Sequence, residues 1–247
     1  PRSEGVLEVA GRGTLAMAGH VVGLLDFIGR LSVELTALMG QPGRWRWREF
    51  GAQVSSVFVG AIPIVAGMLF LLGVVFAYLL GDQAQQYGAN IFVVDGLLLA
   101  ILREISPVIV AILVAGRTGA AITAQIGTMK ITEEIDAIAT LGLSPLAVLV
   151  IPRTIALLLA MPLLVFIGDI AGIAGGMLIA QEQLDISYHM FMDRLADVIL
   201  LKTLLVGLGK APVFALFIAL IACRMGLSVT RDARSVGANT TSTVVQS

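Results

Sequence analysis

Charged residues are scarce in this chain of 247 residues. Asp, Glu, Lys and Arg together make up 13% of it, whereas 57% is hydrophobic and the mean hydropathy is +0.95. A soluble domain carries about 25% charged residues, so this composition excludes an ordinary soluble domain and indicates an integral membrane protein. The net charge of −1 also lacks the basic excess of a nucleic-acid-binding face. We therefore expect a membrane protein with no nucleic-acid partner.

Residue types that build disulfides and metal centres are equally rare. Cys223 is the single cysteine, and His20 and His189 are the only histidines, so neither a disulfide within the chain nor a cysteine metal cluster can form. The stretch GLGK at 207–210 is not a phosphate-binding loop, because Leu204 stands where the first glycine of that motif is required. We expect no metal, cofactor or nucleotide site in this chain.

Long apolar runs dominate what remains. A helix needs about 20 apolar residues to cross a bilayer, and four runs meet that length. They cover roughly 54–80, 96–116, 154–180 (or from nearer 146) and 198–223. The second run is expected to end in a glycine-rich corner, and the mildly polar stretch 235–247 resembles the approach to a further span. The predicted fold class is an all-α polytopic membrane protein.

The basic residues give an orientation. They precede the first run, recur between 117 and 153 and follow the fourth run, whereas 81–95 has none and 181–197 has only Arg194. Because Lys and Arg accumulate in cytoplasmic loops, this alternation places the N-terminal side and the 117–153 loop in the cytoplasm.

An amphipathic stretch precedes the first span. Within residues 15–39, apolar side chains recur at helical spacing, but too many polar residues intervene for a membrane crossing. We predict a helix lying in the membrane interface, with Trp45 and Trp47 among three arginines as its anchor. The interfacial helix and anchor together occupy 14–50. The alternative is a soluble linker helix.

Ionisable residues within the apolar runs are the first functional candidates, since charge in a membrane span commonly marks a polar pathway. Adjacent side chains diverge by about 100° on a helix, so Arg103 and Glu104 are each expected to need a further partner. Arg103 either belongs to a structural ion pair or contacts an anionic group, and a guanidinium suits phosphate. Lys210 requires a counter-charge, from Glu104 or a lipid phosphate, unless it snorkels to the interface.

A short acidic helix is predicted between the second and third spans. Thr132 can cap it, Glu133 and Glu134 lie in its first turn, and Gly142 can end it. This helix either simply connects two spans or docks in a groove of a partner protein.

Three glycines are spaced four residues apart in the third span. Gly168, Gly172 and Gly176 allow close approach of another helix, either within the subunit or between two copies. Asp169 lies beside them and adds another charge to the membrane interior.

These segments resemble the MlaE permease family of ABC transporters. The similarity covers about 50–247 and rests above all on LREISPVIVAILVAGRTGAAITAQIGTMKITEEIDAIATLGLSP, LAMPLLVFIGDIAGIAGG and GLGKAPVFALFIALIACRMGL. It implies a homodimeric permease of the bacterial inner (cytoplasmic) membrane, with an interfacial helix and five spans, the last of them expected beyond residue 247. It also implies movement of glycerophospholipids between that membrane and a periplasmic MCE-domain carrier, which maintains outer-membrane lipid asymmetry.

The resemblance also implies partners and residue roles. A separate cytoplasmic ATPase would bind ATP and Mg, and the N-terminal part resembles the variety with a fused STAS domain. Residues 1–13 would then be the end of a linker, and 51–247 the permease domain. The expected lipid-binding residues are Arg103, Glu104 and Lys210. The expected coupling helix is about 126–141, with Lys130, Glu133, Glu134 and Asp136 facing the ATPase.

Two other functions are alternatives to a phospholipid ABC permease. An ion-coupled secondary transporter would use Glu104, Asp169 and Lys210 as a proton relay, but such transporters often contain internal repeats and none is visible in the sequence. A non-transporting membrane scaffold for STAS or MCE partners is the second alternative. None of the three readings makes the chain itself an enzyme.

Overall fold

A computed structural model of the protein describes residues 6–39, 47–87, 91–198, 201–230 and 232–247. Every regular element in these ranges is a helix. The α-helices are α1 (Val6–Met39), α2 (Trp47–Tyr87), α3 (Ile91–Ala100), α4 (Ser106–Val114), α5 (Ala120–Ile131), α6 (Glu134–Thr140), α7 (Ile151–Leu184), α8 (Tyr188–Val198), α9 (Leu201–Ser228) and α10 (Ala233–Gln246). Three π-helical segments lie between them, at Ile101–Ile105, Ala115–Gly119 and Leu146–Val150. The predicted all-α fold is confirmed.

Four helices are long and apolar enough to cross a membrane, as predicted. They span Gln53–Gln85, Phe92–Ile131, Leu146–Leu184 and Lys202–Ser228. α2 forms the first of these without a break at the boundary we expected between 50 and 51. The chain is therefore a multi-pass membrane protein with four candidate spans in its described part.

The second span is the element whose end differs most from the prediction. We expected it to end at Gly116 in a corner, but Ala115–Gly119 is a π-helical turn and the helix continues to Ile131. Gly119 keeps helical dihedrals, φ −59° and ψ −48°, because neighbouring helices stabilise a transmembrane glycine that would weaken an isolated helix. The connection to the third span shrinks from 117–153 to 132–145.

α1 has one face on the membrane domain and one face exposed. Phe27 and Leu31 are buried in a cluster with Ile126 and Ile151, whereas Val22 and Val33 remain largely exposed. This two-faced distribution suits a helix lying in a membrane interface. The helix starts at Val6, so residues 6–13, expected to end a linker, are helical. Trp45 and the side chain of Trp47 lie outside the described part.

α2 and α7 pack at backbone contact. A Cβ atom added to Gly73 would overlap the carbonyl group of Gly172, and one added to Gly175 would overlap that of Phe70. The predicted glycine strip takes part in the same packing. Its members face the following neighbours within this chain: Gly168 faces Ser106 and Leu69, Gly172 faces Ile101, and Gly176 faces Leu97. The strip thus lies within the subunit, against α2 and the second span.

An ion pair joins α8 to α3, at the end of the second span that lies away from α6. Arg194 of α8 donates two hydrogen bonds to Asp95 of α3, from Nε at 2.7 Å and from Nη2 at 2.6 Å. This bidentate geometry is the strongest form of an arginine–carboxylate contact, and the Asp95 carboxylate raises the pKa of Arg194. The pair fixes α8 against the second span, which the sequence analysis did not foresee.

α10 occupies the stretch that we expected to lead into another span. It packs on α5 and α9, where the hydroxyl oxygens of Thr123 and Thr243 lie 2.8 Å apart and both residues are buried. Asp232 accepts a hydrogen bond from the backbone N–H of Arg234 and caps the helix. Polar side chains at 232–247 are thus used to fasten α10 to the bundle.

Candidate functional site

The first π-helical segment presents Arg103 and Glu104 on the surface of the second span. Ile101 and Leu102, which precede them, are fully buried among α3, α7 and α8, whereas the side chains of Arg103 and Glu104 are 55% and 60% exposed. A π-turn holds one residue more than an α-turn and is frequent at functional sites. Here it brings both charged side chains to the open side of a helix whose other side is packed.

Lys210 of α9 meets this segment directly. Its Nζ atom lies 2.7 Å from Oε2 of Glu104 and 2.8 Å from the carbonyl oxygen of Arg103. That carbonyl is available because Pro107, four residues on, has no N–H to donate to it. The sequence left open whether Lys210 pairs or snorkels, and the structure pairs it with Glu104.

The two adjacent side chains also contact each other. Nε of Arg103 lies 3.3 Å from Oε1 of Glu104, so the adjacent side chains pair within this π-turn, and Glu104 also has the further partner that we expected, Lys210. Glu104 therefore serves two cations, one with each carboxylate oxygen. The cluster of Arg103, Glu104 and Lys210 carries one positive charge in excess.

A backbone contact holds α9 in place beside this cluster. A Cβ atom on Gly207 would overlap the carbonyl group of Leu102, so only glycine permits α9 to approach the π-turn this closely. Three residues further along α9, Lys210 then reaches Glu104 without stretching across a gap. The cluster is thus built on two packed helices.

A short acidic helix forms between Thr132 and Gly142 as predicted, but the longer coupling helix expected at about 126–141 is not one continuous element. Of the expected range 126–141, residues 126–131 belong to α5 and only Glu134–Thr140 forms a separate helix. Its N-cap is Glu133, in a left-handed conformation with φ 61°, and not Thr132, which ends α5. Gly142 follows the helix with φ 73°, the role predicted for it.

The four residues expected to face an ATPase divide into two groups. Glu133, Glu134 and Asp136 are exposed at α6. Lys130 instead donates a hydrogen bond to the carbonyl oxygen of Leu227 at the end of α9. Lys130 therefore fastens α5 to α9 and is only partly exposed.

Asp169 lies apart from the charged cluster. It is 2% exposed, and within the described part of the chain neither of its carboxylate oxygens has a hydrogen-bond partner. No hydrogen bond between described residues links it to Glu104 or Lys210. The proton relay required by a secondary transporter is not assembled by these contacts.

From the sequence alone, Arg117 is predicted to be only a basic loop residue. The structure places it in the second π-helical segment, at a cavity of about 150 Å³ between α2 and the second span. The polar residues lining this cavity are Gln53, Ser56, Arg117, Thr118 and Gln125. The sequence feature that could have indicated this site is an arginine lying between two glycines, Gly116 and Gly119.

These features define a polytopic membrane subunit with a charged cluster on the exposed side of its second and fourth spans, as expected of a transporter permease. Residues 50–247 match the family model described as Permease MlaE. A probable ABC transporter permease of Rickettsia typhi is 37% identical over 193 residues, which cover 77% of this chain and 74% of that protein. The chain belongs to the MlaE permease family and is a subunit of the ABC transporter permease type.

Two further relatives widen the comparison. A probable ABC transporter permease protein of Synechocystis is 35% identical over 215 residues, covering 87% of this chain and 81% of that protein. The chloroplastic protein TRIGALACTOSYLDIACYLGLYCEROL 1 of Arabidopsis thaliana is 32% identical over 205 residues, covering 83% of this chain and 59% of that protein. The similarity thus extends from bacteria to a plant organelle.

Proposed function

We propose that this chain is the permease subunit of an ABC transporter that moves glycerophospholipids and that it makes and breaks no covalent bond itself. The observation that carries the proposal is the cluster of Arg103, Glu104 and Lys210 within the apolar spans. A charge in a membrane span is costly unless it meets a partner. The name of the Arabidopsis relative contains that of a lipid, which supports a lipid as the cargo.

Arg103 is the group that holds the phosphate of the headgroup. The Nε atom of Arg103 contacts Glu104, and no described residue accepts a hydrogen bond from the terminal Nη atoms of Arg103. Those atoms form a planar pair of donors that matches two phosphate oxygens. Lys210 and Glu104 hold the guanidinium in place, and the excess positive charge of the cluster favours an anionic headgroup.

Apolar side chains beside the cluster accept the acyl chains. Val108 and Ile112 follow Glu104 at four-residue steps and are exposed on the same face of the second span. Val213 and Phe217 are exposed on α9, one and two turns beyond Lys210. Between two copies of this chain, these faces would enclose a cavity with a charged site and apolar walls.

α6 transmits the work of the ATPase. Its exposed carboxylates lie between two spans, so a partner that moves α6 also moves the second and third spans. In this proposal α6 and the N-terminal side face the cytoplasm of a bacterium, and the chain lies in the inner membrane. ATP and Mg are bound by the separate ATPase, not by this chain.

The remaining partners rest on the resemblance to the family. The permease forms a homodimer and delivers lipid to, or receives it from, a periplasmic MCE-domain protein, which supports outer-membrane lipid asymmetry. The proposed assembly also includes a STAS-domain protein.

The test is lipid transfer by the complete complex. The permease, its ATPase and its MCE partner are reconstituted in liposomes with labelled phosphatidylethanolamine and phosphatidylglycerol, and transfer is followed with ATP, without ATP and after collapse of the proton gradient. The proposal expects transfer that requires ATP hydrolysis and survives loss of the gradient. Transfer driven by the gradient without the ATPase would support the secondary transporter, and no transfer under any condition would support the scaffold.

A further inference from the structure

The second π-helical segment repeats the arrangement of the first. Ala115–Gly119 lies in the same membrane-spanning helix as Ile101–Ile105, and each segment carries one arginine at its third position. Ala115 and Thr118 are buried, whereas Arg117 between them is exposed. As at Arg103, the irregular turn directs a guanidinium out of a packed helix.

Arg117 lies directly over a glycine of α2. A Cβ atom on Gly60 would come within 2.8 Å of Nη2 and 2.9 Å of Nη1 of Arg117. The bare backbone of Gly60 therefore leaves room for the guanidinium against α2, beside the cavity that Arg117 lines. Any larger residue at position 60 would displace the guanidinium from this place.

The cavity offers polar groups and no counter-charge. Its polar side chains are the two amides Gln53 and Gln125 and the hydroxyl groups of Ser56 and Thr118. Arg103 and Arg194 each have a carboxylate within 4.0 Å, but Arg117 has none among the described residues. A guanidinium with neutral donors around it and no anion is suited to bind one.

The position of the cavity identifies the anion. Gln53 is the first residue of the first candidate span and Ser56 lies one turn further, so the cavity lies toward one end of that span. Phospholipid phosphates lie outside the hydrocarbon core, toward the ends of membrane-spanning helices. Arg103 and Arg117 are separated by fourteen residues, or about 20 Å along a helix, so one headgroup cannot contact both.

We propose that Arg117 and the cavity beside Gly60 bind a phosphate group, as a second anion site separate from the cluster around Arg103. Arg117 contacts the phosphate oxygens through its Nη atoms, and the amide and hydroxyl groups at the cavity wall donate to the remaining oxygens. The ligand is the phosphate of a phospholipid at the membrane boundary, or a free phosphate ion of the same chemistry. The site requires no ATP and does not depend on the direction of transport.

The test is photolabelling of the resting complex. Nanodiscs contain a phosphatidylglycerol with a photoreactive group beside the phosphate, and labelled peptides are mapped by mass spectrometry. In the unaltered complex we expect label on 53–60 or 117–125. Arg117→Gln should lower this label about tenfold, the expected effect of losing a charged hydrogen-bonding group, and label near Arg103 should remain.

Gly60→Ala tests the geometry while the charge is kept. The added methyl group should displace the guanidinium and lower the label in the same peptides, whereas Gly67→Ala on the same helix, where nothing lies within 4 Å of the added carbon, should leave it unchanged. Arg117→Lys should retain part of the label. This set separates a binding defect from misfolding, because Gly60→Ala and Arg117→Lys keep the charge and the helix.

A second arm identifies the source of the phosphate. Inorganic phosphate at millimolar concentration should leave the label unchanged when a lipid is the ligand, and Arg117-dependent protection by inorganic phosphate would establish the free ion instead. Either result supports the phosphate site. Two results would overturn the phosphate site. One is that the cavity residues of the unaltered complex take up no label and bind no inorganic phosphate, and the other is that the unaltered complex and Arg117→Gln are labelled equally.

Discussion

The ammonium group of Lys210 lies 2.7 Å from the Oε2 atom of Glu104, which joins the fourth span to the second. The same Nζ atom reaches the carbonyl oxygen of Arg103 at 2.8 Å, the acceptor that Pro107 leaves without its helical donor. A lysine in an apolar helix thus finds one charged and one neutral acceptor on a single turn. Because Glu104 is held by Lys210, Arg103 keeps its Nη atoms for a ligand.

Glu104 and Lys210 should act as one unit in transport. Glu104→Gln leaves two cations without an anion, and Lys210→Gln leaves Glu104 to neutralise Arg103. Each single change should lower lipid transfer about tenfold or more, and the double variant should lose less than the product of the two losses, because residues in direct contact are not additive. Transfer assays on the four proteins measure the coupling, and strictly multiplicative losses would show that the pair does not cooperate.

Reversing charge on α6 should separate the permease from its ATPase. Glu133→Lys combined with Glu134→Lys replaces exposed carboxylates at the surface proposed for docking. We expect the ATPase to be lost on co-purification, or ATP hydrolysis to continue without lipid transfer. Glu182→Lys, an exposed carboxylate near the other end of α7, is the matched control and should bind the ATPase normally. Normal binding and transfer by the α6 variant would remove this helix from the coupling.

The contact between α2 and α7 should not tolerate one added methyl group. Gly175→Ala forces a Cβ atom against the backbone carbonyl of Phe70, and backbone cannot move aside as a side chain tip can. The free energy of unfolding in detergent should fall by about 1–3 kcal/mol, the usual cost of overpacking. Gly67→Ala, which meets open space, should change it little. Equal stability of the two variants would contradict the close packing.

The pair between Arg194 and Asp95 should require an arginine. Arg194→Lys keeps the charge but cannot make both hydrogen bonds to the carboxylate, so the melting temperature should fall almost as far as in Arg194→Gln. The control is Arg30→Lys, whose partner Asp26 lies one turn away on an exposed surface, where an ion pair contributes little. A lysine at 194 that restores full stability would show that charge alone is sufficient.

Hydropathy and residue spacing predicted much of this fold. The four spans, the exposed acidic helix and the close-packing glycines at 168, 172 and 176 follow from properties that the sequence displays directly, namely apolar length and small side chains. The family resemblance added Arg103, Glu104 and Lys210 as one site. The partner of Lys210 was among the alternatives, and the structure selected Glu104.

The errors share a physical cause. The π-turns at Ile101–Ile105 and Ala115–Gly119 change the hydrogen-bond register of a helix by one residue, and neither hydropathy nor glycine content reports that register. The sequence therefore predicted a corner at Gly116 in place of a continuous helix. Likewise, the loop charges Lys130 and Arg194 have acceptors about 97 to 99 residues away in the chain, and local patterns do not reveal such contacts.

The most direct test of the central claim replaces the guanidinium of Arg103. ATP-driven phospholipid transfer and retention of the ATPase are measured together in the reconstituted complex, for the unaltered protein, for Arg103→Ala and for Arg30→Ala as the control. The account predicts that Arg103→Ala lowers transfer about tenfold, the effect expected from losing a charged contact to phosphate, with the ATPase still bound and the control unaffected. Undiminished transfer by Arg103→Ala would contradict it.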